Sequence, residues 1–136
     1  MFNSAHMSGP IPQPKDKKLR ILIVEDHTPT RMAMSRLIRQ AGADVTTARD
    51  GEEGLGYLVT QRFDVLLTDL RMPKMDGFEL LQHCQTLPES HRPQRVIAIS
   101  GEYEASVLNG QPAPVQFLHK PFNLDHLLEM IGGKPN

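Results

Sequence analysis

The sequence predicts an α/β domain built on one doubly wound, mainly parallel sheet with helices on both faces. Short runs of branched apolar residues, almost free of polar interruption, suit strands that are covered on both sides. Segments with helical spacing alternate with those runs, an order that implies right-handed crossovers between parallel strands. Residues capable of chemistry stand where the runs end: Glu25 and Asp26, Asp69, Ser100 and Lys120. In an open parallel sheet, ligands bind beyond those ends.

The first run, Leu19-Arg20-Ile21-Leu22-Ile23-Val24, reads as a buried strand. Thr28 then suits an N-cap with Pro29 at the first helical position. Met32, Met34, Leu37, Ile38 and Ala41 follow at roughly helical spacing, and Gly42 ends the helix. Residues 44–48 form a second, more polar strand, placed at an edge. Asp50 with Glu53 three residues later is compatible with a capped helix start, and Leu55, Leu58 and Val59 mark one helical face. Gly54 and Gly56 weaken that helix locally.

Residues 64–68 make the third strand. Asp76 opens the third helix, with Glu79 as its N3 acid, with Phe78, Leu80, Leu81 and Cys84 as apolar positions, and with Pro88 as its stop. Residues 95–99 and 115–118 supply two more strands, and Asn123 caps a last helix that turns Leu124, Leu127, Leu128 and Ile131 inward. Such a series of strand–helix units fits the flavodoxin-like strand order 2-1-3-4-5. One unit is irregular. Between Ser100 and Val115 only Tyr103, Val107 and Leu108 are large and apolar, while Asn109-Gly110, Pro112 and Pro114 break the pattern. A shortened fourth helix of about two turns, followed by a loop, is expected there.

At 136 residues the chain is long enough for a single core and too short for two. The formal net charge of -1 provides no general field for nucleic acid or an anionic membrane. The densest basic stretch, Lys15-Asp16-Lys17-Lys18, precedes the first strand and reads as solvated linker. Cys84 is the single cysteine, which excludes an internal disulfide and suits a reducing, cytoplasmic compartment; it is expected as a small core residue of a helix. No apolar run approaches the ~20 residues of a membrane span. Residues 1–17, with Pro10, Pro12 and Pro14 among polar residues, read as a disordered tag or linker, residues 18–132 as the domain and 133–136 as a tail.

Three carboxylates at neighbouring strand ends repel one another unless one keeps a proton or a cation binds. Hard oxygen ligands without clustered histidine or thiolate favour Mg²⁺. Asp26 and Asp69 are then direct ligands, Glu25 acts directly or through water, and the backbone carbonyl of Arg71 adds a further oxygen. An acidic pair after a strand taken alone would more often be a helix-dipole or turn feature; Asp69, Ser100 and Lys120 at matching positions reverse that preference. A carboxylate held beside a cation, an ammonium and a hydroxyl is equipped to attack phosphorus. Asp69 would become an aspartyl phosphate, with Lys120 and Ser100 on its phosphoryl oxygens. Pro121 helps to aim the amine, through a cis bond if one forms.

The acidic pair in IVEDH, the segment LLTDLRMPKMDGFELL around Asp69, IAIS ending at Ser100 and FLHKPF around Lys120 together resemble the receiver domain of two-component response regulators. The resemblance covers residues 18–132. It implies a phosphoacceptor at Asp69, Mg²⁺ ligands at Glu25 and Asp26, a switch hydroxyl at Ser100, a conserved-type lysine at Lys120, and at Phe117 an aromatic that rotates inward on phosphorylation. A histidine kinase or a histidine phosphotransfer domain is the implied donor. Serine replaces the commoner threonine at the switch, Phe117 lacks a hydroxyl, and the thin fourth helix undermines the family's usual dimer surface, so a monomer is expected.

Other readings are weaker. An aspartate-nucleophile phosphatase of the haloacid-dehalogenase type needs a second Asp two residues after the nucleophile, where this chain has Arg71. A phosphorylation-independent interaction module of the same fold would be favoured had Asp26, Asp69 or Lys120 been lost. The proline- and lysine-bearing linker and the early C-terminal stop lean towards the receiver end of a hybrid sensor kinase. His27 is expected at the surface, His119 is expected to point away from Lys120 by strand alternation, and the methionines at 32, 34, 72 and 75 are expected in core or turn packing.

Overall fold

The structure, a computed structural model, describes residues 18–132. The expected linker at 1–17 and tail at 133–136 lie outside the described residues. Five strands form one parallel sheet: β1 (Arg20–Val24), β2 (Asp44–Ala48), β3 (Val65–Asp69), β4 (Arg95–Ser100) and β5 (Gln116–His119). Their order is β2-β1-β3-β4-β5, as the flavodoxin-like reading requires. The α-helices are α1 (Thr28–Gln40), α2 (Gly51–Thr60), α3 (Gly77–Gln85) and α4 (Leu124–Gly132).

Strand alternation divides the core into two layers. Ile21, Ile23, Val65, Leu67, Ile97 and Ile99 face α1 and α4, where Met34, Ile38, Leu127, Leu128 and Ile131 meet them. Leu22, Val24, Leu66 and Ala98 face the opposite way, towards Leu58 of α2 and Leu80, Leu81 and Cys84 of α3. The central strands are apolar at consecutive positions because both of their faces are covered. Full burial of one such side chain contributes roughly 1.5–3 kcal/mol.

Local signals act largely as the sequence indicates. Asp76 and Glu79 form a reciprocal capping box at the start of α3, and the Asp50 side chain accepts the Glu53 N–H at the start of α2. The Asn123 Oδ1 accepts the His126 N–H at 3.2 Å beside α4. Gly54 has a reason beyond propensity: a Cβ built there would lie 2.8 Å from Cγ2 of Val24, so its absence lets α2 close onto β1.

Four expectations need correction. Thr28 is not the cap of α1; the helix begins at Thr28, so the N-cap is His27, which makes no side-chain capping bond. The fourth helical unit is a single 3-10 helix, Ala105–Leu108, rather than two turns of α-helix. Only Leu108 of it is buried, too little apolar surface to hold a longer helix against the sheet. Strands β3 and β5 each begin and end one residue later than the hydrophobic runs suggested. Met34 and Met72 are in the core, whereas Met32 is 60 % exposed on α1.

Candidate functional site

Glu25 and Lys120 each follow a strand directly, and each continues its ladder. The Glu25 N–H donates to the Ala48 carbonyl at 3.1 Å, and the Lys120 N–H to the Ser100 carbonyl at 2.9 Å. Asp69 is the last residue of β3 and pairs with Ile99 of β4. Strand register therefore brings residues 25, 69, 100 and 120 to one end of the sheet, and Lys120 joins two of the acids. Its Nζ donates to Glu25 Oε1 at 2.9 Å and to Asp69 Oδ2 at 3.1 Å. The Lys120-Pro121 peptide is cis, the form the sequence allowed.

The site is buried at its base and open at its rim. Glu25 is 2 % exposed and Asp69 is 7 % exposed, whereas Asp26 is open to solvent. One carboxylate oxygen from each of the three can lie within 4.8 Å of the others. Three hard oxygen donors so close together fit a divalent cation with an incomplete protein shell. Burial pushes the Glu25 carboxyl up to about 7, against the lowering effect of its hydrogen bond from Lys120 and with further help from the charge of Asp69. Burial pulls Lys120 down, but the Glu25 hydrogen bond and the Asp69 and Glu25 charges outweigh it and hold the ammonium above its usual range. Lys120 thus remains a fixed positive charge.

Ser100 is 1 % exposed at the end of β4. Its Oγ accepts the backbone N–H groups of Glu102 and Tyr103, both at 3.0 Å, so in this conformation it anchors the start of the irregular segment. Phe117 is half-buried against the α2–α3 layer. The Arg71 N–H donates to Asp69 Oδ1 at 3.3 Å, which places that peptide next to the acids. His27 is exposed as expected, and His119 is exposed as well.

Two partnerships were not read from the sequence. The Arg71 guanidinium pairs with Glu102 at 2.7 Å, joining the loop after β3 to the loop after β4. The Arg31 guanidinium reaches back from α1 to the Glu25 carbonyl at 2.9 Å. A basic residue one turn into the helix that follows an acidic pair was the available signal for the second. For the first there was none, because residues 71 and 102 meet only through strand pairing. A cavity of about 560 Å³, lined in part by Arg92, Arg95, Val96 and Val115, lies at the opposite ends of β4 and β5 and has no part in this site.

Known proteins share both the fold and the sequence pattern. A probable chemotaxis protein CheY of Rhizobium etli is 31 % identical over 117 residues, covering 85 % of this chain and 91 % of that protein. A gliding motility regulatory protein of Myxococcus xanthus is 36 % identical over 101 residues, 74 % of this chain but only 13 % of the relative's length. The solved receiver domain of the sensor histidine kinase PA1611 of Pseudomonas aeruginosa, with magnesium coordinated in its active-site cleft, superposes with a TM-score of 0.72 at 28 % identity, covering 86 % of this chain and 100 % of that one. Residues 21–132 match the family model described as the response regulator receiver domain. With its sheet order, its strand-end acids and that match, the chain belongs to the response regulator receiver domains, the signalling modules of two-component systems.

Proposed function

We propose that this receiver accepts a phosphoryl group on Asp69 from a phosphohistidine of a histidine kinase or phosphotransfer domain, and relays the signal by a change of conformation. The observation that carries this reading is the position of Lys120 Nζ, within hydrogen-bond reach of Asp69 and Glu25 at once, beside a largely buried Asp69. An Asp69 oxygen attacks phosphorus; the P–O bond forms as the P–N bond breaks, and the imidazole nitrogen leaves with the bond's electron pair. Lys120 follows the transferred group and neutralises one of its oxygens.

Asp26, Asp69 and Glu25, with the Arg71 carbonyl, would hold Mg²⁺, which supplies positive charge against the phosphoryl oxygens. Magnesium in the cleft of the Pseudomonas aeruginosa receiver supports that choice of cation. Ser100 turns from its two backbone donors to a phosphoryl oxygen, which releases hydrogen bonds of about 1 kcal/mol each at Glu102 and Tyr103. Phe117 fills the vacated space. The receiver unit is residues 18–132, and the sensor-kinase origin of the Pseudomonas relative favours a place in a hybrid kinase.

The test is incubation with Mg²⁺ and acetyl phosphate. A single adduct of about 80 Da, the mass of one phosphoryl group, is expected, removable by hydroxylamine and absent from Asp69→Ala. An undiminished adduct in Asp69→Ala overturns the assignment.

A further inference from the structure

The turn between β1 and α1 has no side-chain cap on its backbone, although His27 Nδ1 pairs with Thr30 Oγ1 at 2.7 Å. His27 occupies the N-cap without a side-chain capping bond, and the first turn of α1 contains no acid. Among the described residues, no hydrogen bond or ion pair holds the Asp26 carboxylate, which is exposed. A side chain of the helix itself restrains the two turn carbonyls. Arg31 Nη1 donates to the Glu25 carbonyl at 2.9 Å and lies 3.5 Å from the Asp26 carbonyl, while its Nη2 donates to Thr28 Oγ1 at 3.3 Å. The same turn is tied by the His27 N–H, which donates to Glu25 Oε2 at 3.1 Å, and by the Arg31 N–H, which donates to the His27 carbonyl at 2.9 Å.

We propose that Arg31 is a positioning residue whose guanidinium fork fixes the Glu25–Asp26 turn so that both carboxylates face Asp69. The planar fork can address the adjacent carbonyls and Thr28 together from one rigid group, whereas an ammonium on a flexible stem cannot. Its effect is opposite in sign to its charge. Through space a cation near three carboxylates disfavours a second cation, but through the backbone Arg31 aligns the ligands that a second cation needs. The inference rests on the reading of Asp26 and Asp69 as Mg²⁺ ligands for its binding consequence, and on the turn alone for its conformational one.

The experiment compares the wild-type protein with Arg31→Lys and Arg31→Gln. Mg²⁺ titrations followed by amide NMR are expected to show about tenfold weaker binding in both variants, the lower end of what loss of a ligand-orienting partner costs. Without metal, the His27 amide should exchange faster in both, while amides in β3 and β4 keep their protection. Tighter Mg²⁺ binding by Arg31→Gln would reduce Arg31 to a repelling charge and overturn the proposal. Wild-type affinity and exchange in Arg31→Lys would overturn it equally, and that variant keeps the stem and charge should the Gln variant fold poorly. If the wild type itself fails to bind Mg²⁺, the cation reading falls while the metal-free exchange still decides whether Arg31 holds the turn.

Discussion

Lys120 lies between two carboxylates that are almost removed from water, and its ammonium is what makes their proximity tolerable. Replacing it by methionine keeps the aliphatic stem and removes the charge that would meet the phosphoryl oxygens. Phosphorylation of Lys120→Met by acetyl phosphate should slow by about 10²-fold, the usual loss when one transition-state charge partner is deleted. An unchanged rate, read from the growth of the mass adduct, would remove Lys120 from the chemistry. Cys84 shows burial outweighing a neighbouring charge. Its thiol is pushed up to about 11, mainly by burial and against the nearby Arg92 charge. A raised folded-state value favours the thiol form, so its contribution to stability is complete below the ordinary value of 9.0 and is lost as pH rises through about 11. Iodoacetamide near pH 9 should therefore label the denatured protein quickly and the native protein slowly; rapid native labelling would show that the site opens.

In the proposed switch, the loop after β3 and the segment after β4 would carry the coupling between site and surface. Gly77 opens α3 against the backbone of Asp69: a Cβ there would fall 2.3 Å from the Asp69 carbonyl oxygen and 2.7 Å from Leu70 Cα. Gly77→Ala must displace one of them, which is expected to cost about 1–3 kcal/mol in thermal or urea unfolding and to slow phosphorylation of Asp69 by moving it. Full stability in that variant would contradict the packing described. Beyond Ser100, residues 101–115 hold to the body through the Ser100 hydroxyl, the Arg71–Glu102 pair and an edge-on contact of Phe78 with Tyr103, ring centroids 5.2 Å apart. Release of the first of these by a beryllofluoride mimic of the phosphoryl group should raise hydrogen exchange in 101–115 more than in α1 or α3. A response confined to α1 would refute the coupling.

For the molecule as a whole, the two layers share one stiff sheet, and its inner strands link stability to the site. Leu67 is fully buried two residues before Asp69, so Leu67→Ala should cost about 2–5 kcal/mol in chemical denaturation. A single 3-10 helix over β4 and β5 offers little flat surface for a second copy. The protein should stay monomeric in light scattering with or without the phosphoryl mimic. A tight dimer formed only with the mimic would show that residues 101–115 refold into a longer helix.

Alternating apolar runs and helical stripes determined the strands and helices, whose alternation fits the observed strand order, and the residues at the run ends determined which side chains could meet, because elements are set by local periodicity and ligand sites by the polarity of parallel strand ends. Caps with a side-chain signature, at Asp50 and Asp76, were legible for the same local reason. Tertiary structure decided what local rules cannot reach. Lys120 shares itself between Glu25 and Asp69 because strand register brings together residues separated by 95 and 51 positions. Arg31 supplants Thr28 as the support of the first helix start because the β1–α1 turn aims two carbonyls at its guanidinium. The fourth unit collapsed to one turn because the buried area available to Leu108 and its neighbours, unlike their spacing, is fixed only once the sheet has formed.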